Sequence, residues 1–199
     1  DLVAYELEDD GSLGDDDDPK WNAAKELVSK DLSTTTDWTS YNDSTSGSST
    51  GKKFQWSDLE ETQRADLISG ESDSKGKDRL KYLRGSSEKE ETNGGLFRSR
   101  SSRLGDIFRS RPVYVGVPNL AWPDTGAFDY GEATRYSDFA TAKQSRTPMV
   151  YVGANDGALH GFHADTGVEL LRYFPGNLYN AGDKAGYHFL TRLLDTFDG

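Results

Sequence analysis

The chain has 199 residues, 34% of them hydrophobic and 29% charged, with a mean hydropathy of −0.78, so much of it must be solvated or flexible and it can hold one ordinary domain or, at most, a small pair. A formal charge of −11 and a pI near 4.7 exclude a general nucleic-acid coat and disfavour attraction to an anionic membrane surface. Cysteine is absent, which removes disulfides, thiolate metal sites and cysteine nucleophiles, and no apolar run approaches the roughly 18 residues of a membrane span.

In chain order, residues 2–7 (LVAYEL) predict a short strand that stops at Asp9-Asp10-Gly11. The chain opens at Asp1 without a methionine or signal peptide, as a processed chain or a piece of a longer one does. Asp18 as N-cap and Pro19 at the first helical position predict a helix through about Lys30, with Trp21, Ala24, Leu27 and Val28 on one face. Residues 33–53, dominated by Ser, Thr, Gly, Asn and Asp, read as a mobile loop. Ser57 and Glu60 suggest a capping box opening a second helix to about Ser69, and a third is expected over 77–83, closed by Gly85.

The texture changes near Leu96. Residues 112–117 predict a strand containing Pro112, Tyr114 and Gly116, and 118–147 form a long insertion. The clearest β signal follows: a strand at 149–152 with Tyr151, a turn from Gly153 through Asn155, Asp156 and Gly157, and a strand at 158–163. A turn at Asp165-Thr166-Gly167 then leads into a strand over 168–174. Two turn glycines ten residues apart are the spacing of an antiparallel meander, so the four strands make one four-stranded unit. The expected fold is mainly β, a partial propeller of about one blade preceded by an irregular, partly helical acidic region. Residues 1–95 and 96–199 are the two expected parts, with 2–7 a stray propeller strand.

The sharper chemical readings yield to simpler ones. Asp15 to Asp18 are consecutive acids followed by Pro19 and Lys20, whereas a calcium loop alternates its ligands around a glycine, so a solvated acidic loop is expected and no metal site. Residues 75–111 hold eleven bases and five acids, yet Phe97 and Phe108 form no stacking platform; Arg98, Arg100, Arg103, Arg109 and Arg111 are expected to pair with acids of the same chain. His160 and His163, three apart on a strand, face opposite ways and cannot chelate one ion. Asp106 after Gly105 is expected to fix the chain where it enters the meander. Neither a Gly-x-Ser-x-Gly elbow nor a phosphate loop occurs, and no catalytic constellation or cofactor site is expected.

The run TPMVYVGANDGALHGFHADTGVELLRYFP (147–175) resembles the blade repeat of quinoprotein-like propellers. Together with FRSRSSRLGDIFRSRPVYVGVPN (97–119), and more loosely KYLRG (81–85) and the order of LVAYELEDDGSL and WNAAKEL, it is similar to the PilC/PilY family of type IV pilus tip-associated proteins. The resemblance implies a non-enzymatic propeller at the bacterial surface, in the periplasm or outer membrane or at the pilus tip. It also implies pilins and minor pilins as partners, host or surface ligands, roles in adhesion and twitching, and calcium regulation of the full-length parent. The alternatives are a fragment of a quinone-cofactor dehydrogenase and a generic outer-membrane assembly scaffold. No tryptophan follows Trp122, where the dehydrogenase blades would carry one, and that counts against the enzyme.

Overall fold

The computed structural model describes residues 1–14, 18–33, 35–42, 47–124, 135–180, 182 and 185–192. Strands β1 (Val3–Ala4) and β2 (Trp21–Asn22) pair antiparallel, and helix α1 (Ala23–Ser29) follows at once. Helix α1 therefore starts four residues later than Asp18 and Pro19 suggest. Trp21 and Asn22 are held in extended backbone by β1, and the Asn22 side chain caps the amide of Lys25 at 3.1 Å. Residues 2–7 thus supply a partner for β2 and no strand of the main sheet. Asp18 lies in a bend, and Asp15 to Asp17 fall outside the described residues.

Among the described residues the main sheet has six strands. β3 (Trp38–Asn42) and β4 (Ser49–Lys53) form a hairpin, and β5 (Val113–Val115), β6 (Met149–Gly153), β7 (Leu159–His163) and β8 (Glu169–Phe174) form an antiparallel meander; the spatial order is β4-β3-β8-β7-β6-β5. The 33–53 loop reading is corrected. Trp38 and Thr39 run parallel to Tyr173 and Phe174, and the Thr39 hydroxyl donates to the Phe174 carbonyl at 2.7 Å. Pairing to a strand 135 residues away orders a segment whose own composition offers little burial. The sheet therefore crosses the expected division at 95 and 96.

Helices α2 (Glu61–Ile68) and α3 (Asp73–Leu83) complete the acidic half. Glu60, rather than Ser57, caps α2, with Gln63 closing the box; α3 begins earlier than expected because Ser72 caps the Lys75 amide. Arg79 of α3 donates to the Leu67 and Ile68 carbonyls and pairs with Glu71, satisfying the open end of α2. A further helix, α4 (Tyr136–Ala142), lies within the 118–147 insertion. No described helix is long and apolar enough to cross a membrane.

One face of the sheet is covered by two apolar clusters. At one end Phe162 and Val152 meet Trp21, Leu27 and Leu104; at the other Phe174 stacks on Phe54 at 4.0 Å among Leu67, Leu80 and Tyr187. Asp66 pins the following segment by accepting the amides of Asn180, Tyr187 and His188 and the Nδ1 proton of His188 at 2.5 Å. The opposite face carries Met149, Tyr151 and Leu171 converging over Gly161, with Tyr173 and Trp38 beyond them. Helices α1, α2 and α3 contribute to the clusters on the covered face, and on this one Trp38 is 41% and Val113 56% exposed.

Candidate functional site

Buried charge gathers where the meander meets the 98–106 segment. His160 and Arg172 are directly opposed on β7 and β8, and both point into the covered face. A register shift at Gly161 and Phe162 puts Glu169, three residues before Arg172, on that face as well, where a regular strand would turn it away. Glu169 accepts from His160 Nδ1 at 2.6 Å and from Arg172 Nε and Nη2 at 3.1 and 2.9 Å, and it also pairs with Lys30. Lys30 lies 3.6 Å from Asp37, which accepts from Arg84 Nε at 2.8 Å. On the other side His160 Nε2 meets Asp156 Oδ2 at 3.0 Å, and that carboxylate accepts the Gly105 amide at 3.1 Å. The chain of contacts joins α1, α3, β7, β8, the 155–157 turn and the 98–106 segment.

Electrostatics follow from this geometry. Burial alone would raise the Glu169 carboxyl, but the His160 hydrogen bond and the charges of Arg172, His160 and Lys30 hold it at about 2. Burial likewise opposes ionised Asp156, yet the charge and hydrogen bond of His160, then the Gly105 amide, keep its pKa below the usual value. His160 is pushed down by burial and lifted further by Asp156 and Glu169, so it ends above the ordinary imidazole value. Glu169 raises Arg172 against the desolvation that would lower it.

The residues singled out by sequence fall into three groups. Asp156 belongs to the network. Gly105 touches it: a Cβ there would lie 2.3 Å from the Asp156 amide nitrogen, so only glycine permits this approach. The exposed Asp106 accepts the Asn155 amide through its carbonyl, joining the segment to the turn. Gly157 and Gly167 adopt φ of +89° and +70°, and Gly167 lies against the Trp21 ring. Asp165 and Thr166 are exposed turn residues, and the Gly153 amide donates to the Ser110 hydroxyl oxygen. Tyr151 packs over Gly161 on the open face, while Pro112, Tyr114 and Gly116 lie at the edge strand. Tyr114 is 65% exposed because β5 is the outermost strand of the sheet among the described residues.

Sequence reasoning missed His160, Glu169, Arg172, Lys30 and Asp37. The available signal was a strand pattern broken by a glutamate and an arginine three apart, a spacing that regular pleating would split between faces. Among the basic residues, Arg100 pairs with Glu90 as expected, but Arg103, among the described residues, donates to the Leu27 and Lys30 carbonyls and to no carboxylate. His163 is half-buried and accepts the Asp165 amide on Nδ1. Among the described residues, no three His, Asp or Glu side chains gather to hold a metal, and the network's carboxylates are taken by cations; Asp15 to Asp17 lie outside those residues.

The PilY1 beta-propeller domain family matches residues 104–189, which contain the whole meander. The chain is 34% identical over 194 residues to the type IV pilus biogenesis factor PilY1 of Pseudomonas aeruginosa (strain UCBPP-PA14), covering 92% of this chain and 16% of that protein. It is 41% identical over 143 residues to PilY1 of P. aeruginosa strain PAO1 (67% and 12%). With a PilY1 homolog of Xylella fastidiosa (strain Temecula1) it shares 45% over 96 residues (48% and 8%). The chain thus spans a small part of the length of these curated relatives. No solved structure matches it significantly.

Proposed function

Because this chain belongs to the PilC/PilY family of type IV pilus biogenesis proteins, we propose that it is a non-enzymatic wedge of a β-propeller that supports pilus assembly at the cell surface. The observation that carries the reading is the sheet itself, covered by α1, α2 and α3 on one face and aromatic on the other, where Trp38 and Val113 are exposed and Tyr151 and Tyr173 half-buried. Propeller blades stack sheet on sheet around an axis, so this aromatic face is the seat of a neighbouring sheet of the same polypeptide. Residues 118–124 and 135–147 and the exposed side of the 98–106 segment are the surfaces offered to pilins or minor pilins. Adhesion to host or other surfaces and support of twitching are further roles of the whole protein at the pilus tip, and any calcium dependence resides outside the residues described above.

The test is surface piliation in cells whose full-length protein carries Gly105→Val. The added side chain would drive into the Asp156 backbone and detach the 98–106 segment. Sheared surface pili should fall while pilin synthesis continues. Normal piliation with a Gly105→Val protein that has lost its native melting transition would contradict the reading, and quinone-dependent alcohol or sugar oxidation by the purified protein would favour an enzyme.

A further inference from the structure

Among the described residues the sheet ends on two unlike edges. The outer strand β4 reads Ser49-Thr50-Gly51-Lys52-Lys53, polar and ending in two lysines, a composition that keeps other strands off an edge. The outer strand β5 is Val113-Tyr114-Val115, with Val113 and Tyr114 both exposed. Its backbone is open as well. The Gly153 amide points across to Ser110, and the Ala154 amide bonds the Ala158 carbonyl. Along β6 the odd residues therefore turn their peptide groups toward β5 and the even ones toward β7. Val113 and Val115, opposite Tyr151 and Met149, make the hydrogen-bonded pairs. Tyr114, opposite Val150, directs its N–H and C=O away from the sheet, and no described residue bonds them.

The stretch around this edge has the composition of an interface. Residues 107–123 contain no aspartate, glutamate or lysine, and Phe108, Val117 and Leu120 are exposed within it. Surface that is aromatic and arginine-bearing, and depleted in acids and lysine, is what the centre of a protein interface is made of. Arg109 lies over the Phe108 ring at 5.3 Å and Arg111 is exposed; among the described residues neither is in ion-pair range of a carboxylate. A chain of net charge −11 that leaves these two unanswered places their counter-charge outside itself. A second copy would bring four arginines and no acid to the junction, which like-charge repulsion opposes. We propose that β5 is a docking edge for an extended segment of a protein partner. The segment adds as a strand through the Tyr114 backbone and sets apolar side chains beside Tyr114 and carboxylates beside Arg109 and Arg111. That the partner is a pilin or minor pilin rests on the pilus-assembly reading; the edge and its charge do not.

Photo-crosslinking tests this with the full-length protein in piliated cells. p-Benzoylphenylalanine in place of Tyr114 should give an adduct with a second protein, whose linked peptide, read by mass spectrometry, carries Asp or Glu. The same probe in place of Gly51 of β4, where a side chain meets open space, should give none. Arg109→Gln together with Arg111→Gln should lower the adduct at position 114 about fivefold, the effect of losing two exposed ion pairs. With the probe moved to Phe108, Tyr114→Pro should abolish the adduct and Tyr114→Phe should keep it. Proline removes the outward N–H and leaves the bonds to β6 in place. No adduct, an adduct within the polypeptide or to a second copy, an equal adduct at position 51, or one undiminished by the arginine changes would each overturn the proposal. So would an undiminished adduct in a Tyr114→Pro protein that keeps its native melting transition. An acid-bearing partner outside the pilus that meets the arginine and proline tests would support the docking edge and contradict the pilus-assembly reading alone.

Discussion

Replacing Glu169 by glutamine is expected to destabilise the fold by about 3–5 kcal/mol, because it removes the anion from a buried cluster and leaves its cations facing one another. The Glu169 side chain is 1% exposed and is the common acceptor of His160, Arg172 and Lys30. A glutamine amide would turn at least one N–H toward those donors, so the loss is of charge and of hydrogen bonding together. Urea unfolding followed by tryptophan fluorescence checks the magnitude; a change below about 1 kcal/mol, typical of an exposed pair, would mean that the network is solvated.

The same cluster sets a pH dependence. Glu169 and Asp156 have depressed pKa values in the fold, so their contribution is present above the ordinary carboxylate range and is lost as pH falls through the folded values. His160 is raised, so its contribution is complete below the ordinary imidazole value of 6.5 and is lost as pH rises through its folded value. The network therefore stabilises most between about pH 5 and 6.5 and weakens on the alkaline side. The alkaline decline should flatten in His160→Gln, even though that variant is less stable throughout.

Phe174→Ala should be comparably damaging, at about 3–5 kcal/mol, through the cavity it leaves. Phe174 is fully buried, stacks on Phe54 and meets Tyr187 edge-on at 5.7 Å. It is where the last meander strand, the β3–β4 hairpin, the two central helices and the 185–191 segment all meet, so surrounding side chains cannot collapse into the gap without moving several elements. Thermal melting of the variant should show one lowered transition. Loss of protection confined to 38–53 in hydrogen exchange, with the rest unchanged, would instead make the hairpin an independent unit.

The meander was legible in the sequence because its strands are β-branched and aromatic and its turns need glycine at positive φ, as Gly157 and Gly167 show. Elements held by distant partners were less so. Asp18 and Pro19 are good helix-start residues, yet pairing of Trp21 and Asn22 with β1 delays the helix, and β3 is ordered by β8 rather than by its own composition. Tyr114 looked like core because its neighbours are apolar; edge position decides otherwise. The charge network was hidden for a different reason. Polar residues in a strand read as surface, and only the bulge beside Phe162 brings Glu169 and Arg172 to one face. Asp156 and Gly105 were recognised, but as separate turn residues, since nothing local says that they touch.

The most direct measurement is hydroxyl-radical footprinting of Trp38, Tyr151 and Tyr173 in the 199-residue chain and in the full-length protein. These side chains line the face opposite to the one that α1, α2 and α3 cover. If the sheet is one wedge of a propeller, their oxidation should drop several-fold in the full-length protein while the exposed Tyr114, on the opposite side of the edge strand, changes little. Equal oxidation of Trp38, Tyr151 and Tyr173 in both forms would mean that no neighbouring sheet seats there.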